Sequence, residues 1–262
     1  MSQARVSIGI HGALGRMGTR LIQLIAGDPT LRLAAALVRD GHPQVGEDAG
    51  TLVGVAPLGI PLSRTVSSET AIDVMIDFST PQAALAIGEW CQQRGVPLVV
   101  GTTGFDPAQR RTLESASARI PILISANTSR AVNLLMKLVG EAARALGGTA
   151  DIEIIERHHR TKKDAPSGTA LRLAEFAGRG AASGRLISGR HDSRTQGEIG
   201  IHALRIADCP GEHTVVFGLM GETLELSHRA LNRDGFARGA LDTAKYLLGK
   251  PAGLYSMEDV LA

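Results

Sequence analysis

The first 125 residues alternate short apolar runs with helical patterns, and that alternation restricts the fold more than any other property of the chain. Val6 to Ile10 is an apolar run that stops at Gly12-Ala13-Leu14-Gly15-Arg16-Met17-Gly18, after which Met17, Leu21, Leu24 and Ile25 recur at helical spacing. Further strand candidates are Leu33 to Val38, Val74 to Ile76, Leu98 to Val100 and Ile122 to Ile124. Helical stretches lie at Pro81–Arg94 and Pro107–Ser117. Strands separated by helices of that length build a parallel sheet covered on both faces, and right-handed crossovers wind it in both directions. The expected class is α/β, with an N-terminal Rossmann-like doubly wound parallel sheet.

The pattern changes after Ser129. A helix from Val132 to Leu146 leads to a strand, Ile152–Glu156, then to a basic segment and a helix beginning near Ser167. Three strands follow without intervening helices: Ile199–Ile206, Thr214–Phe217 and Thr223–His228. That succession predicts an α+β domain with an antiparallel or mixed sheet. The last helical run, Phe236 to Leu248, is expected to pack back on the first domain. The division is therefore 1–128, completed by 231–262, and 129–230. Gly178–Gly197, rich in Gly, Ser and Arg, reads as a long exposed loop.

Composition excludes several classes of partner. The 262 residues are 44% hydrophobic and 21% charged, as in soluble globular proteins. Aromatics at 3% supply no stacking platform, and a net charge of +2 without a basic arm argues against nucleic acid. Cys91 and Cys209 have neither metal-ligand spacing nor a disulfide framework, and both read as buried thiols in a reducing compartment. No metal site is expected. A first strand that starts at once, without a signal peptide, and the lack of a bilayer-length apolar run predict a cytoplasmic protein with no membrane partner.

Chemistry concentrates in Glu156-Arg157-His158-His159-Arg160-Thr161-Lys162-Lys163-Asp164-Ala165-Pro166-Ser167-Gly168-Thr169-Ala170. Paired His and Lys provide proton donors near neutral pH and fixed positive charge. The Pro-Ser-Gly-Thr turn offers backbone N–H groups at a helix start. The combination suits a small, multiply charged acid that is protonated as it reacts. A solvated basic loop before an ordinary helix is the plainer alternative, and the capped turn argues against it. Lys163, facing away from Lys162 in an extended segment, reads as solvated.

The glycines at 12, 15 and 18 sit where the first strand turns into the first helix, so the backbone can approach a pyrophosphate there. A tight turn packed for its own sake is the alternative. Leu37-Val38-Arg39-Asp40 ends the second strand, where folds of this kind read the adenosine ribose. Val38 cannot accept a hydrogen bond through its side chain, and Arg39 suits a 2′-phosphate. NADPH is thus the expected cofactor, with NADH second and Asp40 a displaced ribose acceptor; a plain surface charge is the other reading of Arg39. Gly101-Thr102-Thr103-Gly104 and Ser125-Ala126-Asn127-Thr128 follow later strands, at the carboxyl ends where ligands of open α/β sheets bind.

Taken in order, these segments carry a resemblance. The Gly-x-x-Gly-Arg-Met-Gly turn, Asp-Phe-Ser-Thr at 77–80, Gly-Thr-Thr-Gly, Asn127-x-Ser129, the Glu156–Ala170 run and Gly211-Glu212-His213-Thr214 resemble the 4-hydroxy-tetrahydrodipicolinate (dihydrodipicolinate) reductase family of the bacterial diaminopimelate–lysine pathway. The resemblance runs nearly end to end. It implies NAD(P)H-dependent reduction of a cyclic imine dicarboxylate to tetrahydrodipicolinate. His158 falls at the proton donor's position and Lys162 at the second catalytic one, while His159, Gly168 and Thr169 fall at substrate-binding positions. Nucleotide contacts fall on Gly12, Ala13, Leu14, Gly15, Arg16, Met17, Arg39, Gly101, Thr102, Thr103, Ser125, Ala126, Asn127 and Thr128. The second domain is implied to bind substrate and to form homotetramers through its sheet. The chain departs from the family pattern at Val38, where many members carry an acid, at Thr128, commonly Phe, at Arg130-Ala131, and at Thr161, His in some relatives.

Hydride arriving at the conjugated ring leaves negative charge to be protonated, and that work falls to His158 assisted by Lys162. Domain closure is expected, with hinges near Asn127–Arg130 and Ala230–Asp234. Two rivals remain. One is another two-domain NAD(P) dehydrogenase, such as an amino-acid or semialdehyde dehydrogenase; the phosphorylating semialdehyde kind needs a nucleophilic cysteine that neither thiol is placed to supply. A non-catalytic NAD(P) sensor has no use for the His-His-Lys cluster.

Overall fold

The computed structural model describes residues 5–181 and 184–262. In chain order the first elements are β1 (Val6–His11), α1 (Arg16–Gly27), β2 (Leu31–Leu37), α2 (Ala49–Leu52), β3 (Leu62–Ser63) and β4 (Val74–Asp77). Then come α3 (Pro81–Arg94), β5 (Leu98–Val100), α4 (Pro107–Ser115), β6 (Pro121–Ile124), α5 (Arg130–Leu146) and β7 (Asp151–His158). The rest are α6 (Gly168–Ala181), β8 (Arg185–Ser188), β9 (Glu198–Arg205), β10 (Glu212–Leu219), β11 (Glu222–Arg229), α7 (Asp234–Leu247), β12 (Gly253–Tyr255) and α8 (Met257–Leu261). Two compact units form. One holds the chain up to Ser129 together with Asp234–Ala262, and the other holds Arg130–Arg233.

The first unit is a seven-stranded parallel sheet ordered β12-β6-β5-β4-β1-β2-β3. Reversal of strand order between β1 and β4 makes the switch point of a doubly wound sheet. Its strands bury side chains on both faces, which is why they read as unbroken apolar runs. Ile8, Ile10, Ile76 and Val99 pack with Leu21, Ile22 and Ile25 of α1 and Ala240 and Ala244 of α7. Met75, Leu98, Val100 and Ile122 form a second core with Ile87 and Cys91 of α3 and Leu113 of α4. Fully burying one such aliphatic side chain contributes about 1.5–3 kcal/mol. Bidentate contacts of 2.5 and 2.6 Å from Arg20 to Asp234 tie α7 to α1. The edge strands β3 and β12, two and three residues long, lack the length for a periodic signal.

The second unit is a five-stranded mixed sheet ordered β11-β10-β7-β9-β8. β10 runs antiparallel to β7 and β11, whereas β7, β9 and β8 run parallel. Helices α5 and α6 cover one face, burying Leu135, Val139 and Leu173 against Ile152, Ile154, Val215 and Phe217. The expectation of a loop over Gly178–Gly197 is corrected for the described part of that segment: α6 extends to Ala181, and Arg185–Ser188 is the edge strand β8. Residues 182–183 lie outside the described residues. Beyond β8, Arg190 reaches Glu198 at 2.6 Å and Glu153 at 3.2 Å, and Arg194 also pairs with Glu153. A composition rich in Gly, Ser and Arg conceals such order in part because Glu153, which both arginines reach, lies 37 residues before Arg190 and 41 before Arg194. Cys209 is half-buried rather than buried, its thiol 3.4 Å from the Arg157 carbonyl. Cys91 is enclosed, and burial raises its thiol pKa, keeping it protonated.

Candidate active site

β7 reads Asp-Ile-Glu-Ile-Ile-Glu-Arg-His and buries every second residue. Ile152 and Ile154 thereby put Glu156 and His158 on the helix-covered face, a carboxylate and an imidazole where the pattern calls for apolar side chains. β10 does the same, since Val215 and Phe217 continue to His213, whose register partner is Glu156. On β9, Arg205 pairs in register with His158. Four polar residues thus gather at one end of an apolar stripe.

Glu156 is wholly buried, and its ligands account for its charge. Arg205 meets both carboxylate oxygens at 2.9 Å, the Ser167 backbone N–H donates to one at 3.0 Å, and His158 Nδ1 lies 2.5 Å from the other. Burial opposes ionisation, but the arginine, histidine and amide outweigh it and hold the carboxyl below its usual range. For His158 burial is the largest influence and lowers the imidazole pKa. The Glu156 hydrogen bond and charge raise it, and the Lys162 and Arg205 cations lower it further. With Nδ1 committed to Glu156, Nε2 is the nitrogen left for chemistry. A Cβ on Gly211, at φ +149°, would stand 3.0 Å from that Nε2, so glycine keeps the approach clear. His213 packs edge-on to His158 with ring centroids 5.2 Å apart, and burial pushes its pKa down to about 3, leaving it neutral.

The segment after β7 is a turn, not the extended run expected, because the Lys162 N–H bonds the His159 carbonyl at 3.1 Å. Lys163 is exposed, but the turn rather than strand alternation puts it there. Lys162 Nζ pairs with Asp164 at 2.8 Å. That hydrogen bond holds the Asp164 carboxyl below its usual range. His159 is half-buried with Nδ1 2.8 Å from the Thr161 hydroxyl, so Thr161 orients it. Ser167 caps α6, its Oγ accepting from the Ala170 N–H at 3.2 Å and lying 3.2 Å from His213 Nε2. Gly168 is exposed in the first turn of α6, with no atom within 4 Å of where a Cβ would sit, and Thr169 beside it is half-buried.

In the first unit Gly12 follows β1 at φ +83°, and a Cβ there would lie 2.3 Å from the Phe78 carbonyl oxygen. One on Gly18 would lie 2.2 Å from the Gly12 carbonyl oxygen. These two glycines make the turn possible. Gly15 is the exposed N-cap of α1, which has no side-chain cap, so the first N–H groups of the helix stay available. Ala13 is buried, Leu14 and Met17 are half-buried, and Arg16 is exposed.

The other predicted nucleotide positions divide by where their side chains point. Thr102 is buried, donating to Asp77 at 2.6 Å and accepting from the Ser79 N–H at 2.8 Å. Asp77 also meets His11 at 2.7 Å and Ser79 Oγ at 2.5 Å, a network that joins the ends of β1, β4 and β5. Thr128 is buried with its hydroxyl on the Phe236 carbonyl at 2.7 Å. Ser125 Oγ donates to the Asn127 carbonyl at 2.8 Å, and Asn127 Oδ1 accepts from the Ser129 N–H at 2.9 Å. Gly101 is buried where a Cβ would run 2.0 Å into the Phe78 ring, while Thr103, Ala126 and Arg39 are exposed.

Sequence reasoning quoted Glu156, His213, Asp77 and Ser167 only as parts of motifs, and it passed over Arg205. The strand period was a usable signal for Glu156, since it follows Ile152 and Ile154 at even spacing. Nothing local marks Arg205, which reaches its partner across 49 residues.

A glycine-turned, doubly wound parallel sheet and a second unit with a buried carboxylate–histidine pair define a two-domain α/β oxidoreductase of the dinucleotide-binding class. Family models described as dihydrodipicolinate reductase, N-terminus and C-terminus, match residues 6–128 and 131–261. The chain belongs to the dihydrodipicolinate reductase family. It is 46% identical over 264 residues to a 4-hydroxy-tetrahydrodipicolinate reductase of Anaeromyxobacter sp. (strain Fw109-5), covering 98% of this chain and 97% of the relative. It is 44% identical over 272 residues to the Rhodopirellula baltica enzyme of the same name, covering 99% and 97%. Among solved structures, the dipicolinate-bound dihydrodipicolinate reductase from Paenisporosarcina sp. TG-14 shares the fold with a TM-score of 0.79 at 23% identity, covering 98% of this chain and all of that one.

Proposed function

We propose that this chain reduces 4-hydroxy-tetrahydrodipicolinate to tetrahydrodipicolinate with NAD(P)H, in the route to diaminopimelate and lysine. The observation that carries the proposal is the buried Glu156–His158 pair beside Lys162 and the capped Ser167-Gly168-Thr169 turn, in a chain of this family. Gly12 and Gly18 let the turn after β1 close tightly on the Phe78 and Gly12 carbonyls, and the exposed, uncapped start of α1 at Gly15 suits a pyrophosphate, so the first unit fits a dinucleotide. Gly15 to Met17, Arg39, Gly101 to Thr103 and Ser125 to Thr128 would hold it, Thr102 and Thr128 through their backbone. NADPH is the preferred form, because Val38 offers the ribose no acceptor and Arg39 suits a 2′-phosphate. When bound, the reduced nicotinamide supplies a hydride.

His158 Nε2 then delivers the proton, and Lys162 and His159 neutralise the substrate's carboxylates. Gly168 and Thr169 receive one carboxylate at the start of α6. Burial leaves His158 mostly neutral in the free protein at neutral pH. A dianionic substrate adds negative charge that favours the imidazolium, so proton uptake accompanies substrate binding. A positioned acid of this kind is worth about 10²–10⁴ in rate. The same reading places the protein in the cytoplasm as a homotetramer. The sheet face opposite α5 and α6 supports assembly, since Ile155, Leu204 and Val216 are half-buried or exposed there.

The test is NADPH oxidation followed by nicotinamide absorbance, with substrate generated in place from pyruvate and aspartate semialdehyde by the upstream synthase. Rapid, synthase-dependent oxidation is expected. A folded protein that binds NADPH but does not oxidise it would refute the reductase reading.

A further inference from the structure

We propose that Arg64 is a second 2′-phosphate ligand, acting with Arg39 to select NADPH; the inference rests on the cofactor reading above and deepens it. β3 pairs with β2 in parallel register, Leu37 beside Ser63, and the Val38 N–H donates to the Ser63 carbonyl at 2.9 Å. The residues that follow each strand, Val38-Arg39 and Arg64, therefore leave the sheet side by side at its carboxyl edge. Both arginines line one cavity of about 490 Å³. Both are exposed, and among the described residues neither guanidinium has an ion pair or hydrogen bond.

Two guanidinium groups without ion-pair partners lining one cavity give it positive charge that a dianionic group would complement. Leu37, Val66, Ile87 and Trp90 line the same cavity and supply apolar surface that suits an adenine ring. His11, at the end of β1, connects it to the Gly12 turn. A phosphorylated adenosine matches this arrangement on both counts, with its base on the apolar side and its 2′-phosphate between Arg39 and Arg64. Arg64 escapes sequence reasoning because it follows a two-residue strand that no periodicity reveals.

Trp90 is the only tryptophan of the chain, so its fluorescence reports ligands in this cavity without any turnover. Dissociation constants for NADPH, NADH and adenosine 2′,5′-bisphosphate would be measured on the wild type, Arg64→Gln and Arg64→Lys. The wild type is expected to bind NADPH at least about tenfold more tightly than NADH. Arg64→Gln is expected to remove about tenfold of NADPH and bisphosphate affinity while leaving NADH unchanged, with Arg64→Lys in between. If Arg64→Gln leaves the NADPH/NADH ratio within about twofold of a discriminating wild type, Arg64 has no such role and the cofactor reading stands. A wild type that binds both cofactors equally overturns both. Equal weakening of NADPH and NADH by Arg64→Gln overturns the specificity role alone.

Discussion

In the first unit the proposed site is made of backbone, with glycines at 12, 15 and 18, an uncapped helix start and strand ends whose threonines turn inward to Asp77 and Phe236. In the second it is made of side chains, a buried carboxylate with two histidines and an arginine drawn from three strands. The first depends on the absence of atoms and tolerates little added volume. The second depends on charges balancing one another, so a change to one partner acts on the proton affinity of the next. A backbone site should therefore fail by collapse, and a side-chain site by detuning.

The largest expected effect separates chemistry from cofactor binding. Lys162→Ala should lower kcat by about 10²–10⁴ and leave NADPH affinity near normal, as judged by Trp90 fluorescence. Unchanged turnover would remove Lys162 from the catalytic role. Gly18→Ala tests collapse, because its Cβ would stand 2.2 Å from a carbonyl oxygen. It should destabilise the protein by about 1–3 kcal/mol in denaturant melts and weaken both cofactors alike. A stable variant with normal binding would show that the turn has slack.

Glu156→Gln tests detuning. Glu156 raises the His158 pKa, so its neutralisation should lower that pKa further. Activity that depends on the imidazolium falls as pH rises through the His158 pKa, so the falling limb of kcat/KM should move to lower pH. A loss of activity with no shift of the limb would leave Glu156 only a structural role. The smallest effect is expected from Val38→Glu, which restores a ribose acceptor and should improve NADH use severalfold, roughly 1 kcal/mol of added hydrogen bonding. An unaltered NADPH/NADH ratio would refute the reading of that position.

Legibility in the sequence followed the range of the interactions. α3 was bounded at both ends by Pro81 and Gly95, local signals that act within one turn. The strands β1, β4, β5 and β6 were legible because both of their faces are buried. β3, β8 and β12 were not, being short edge strands held by pairing to segments distant in sequence. His158 and Lys162 were legible as residue types in a motif. The state of His158 was not, because it depends on burial, on Glu156 and on an arginine 49 residues from that carboxylate.

The sequence by itself determined the alternation of the fully buried strands with their helices, the glycine turn, the change of architecture after Ser129 and the residues able to carry proton chemistry, since each rests on local sterics or short-period patterning. Only the tertiary structure decided that Glu156, His158, Arg205 and His213 share one face and that Thr102 and Thr128 point inward. It also decided that Arg64 joins Arg39 at one cavity. Those arrangements come from strand register and burial, and electrostatic energy depends on distance and desolvation, neither of which is written in the spacing of residues along a chain.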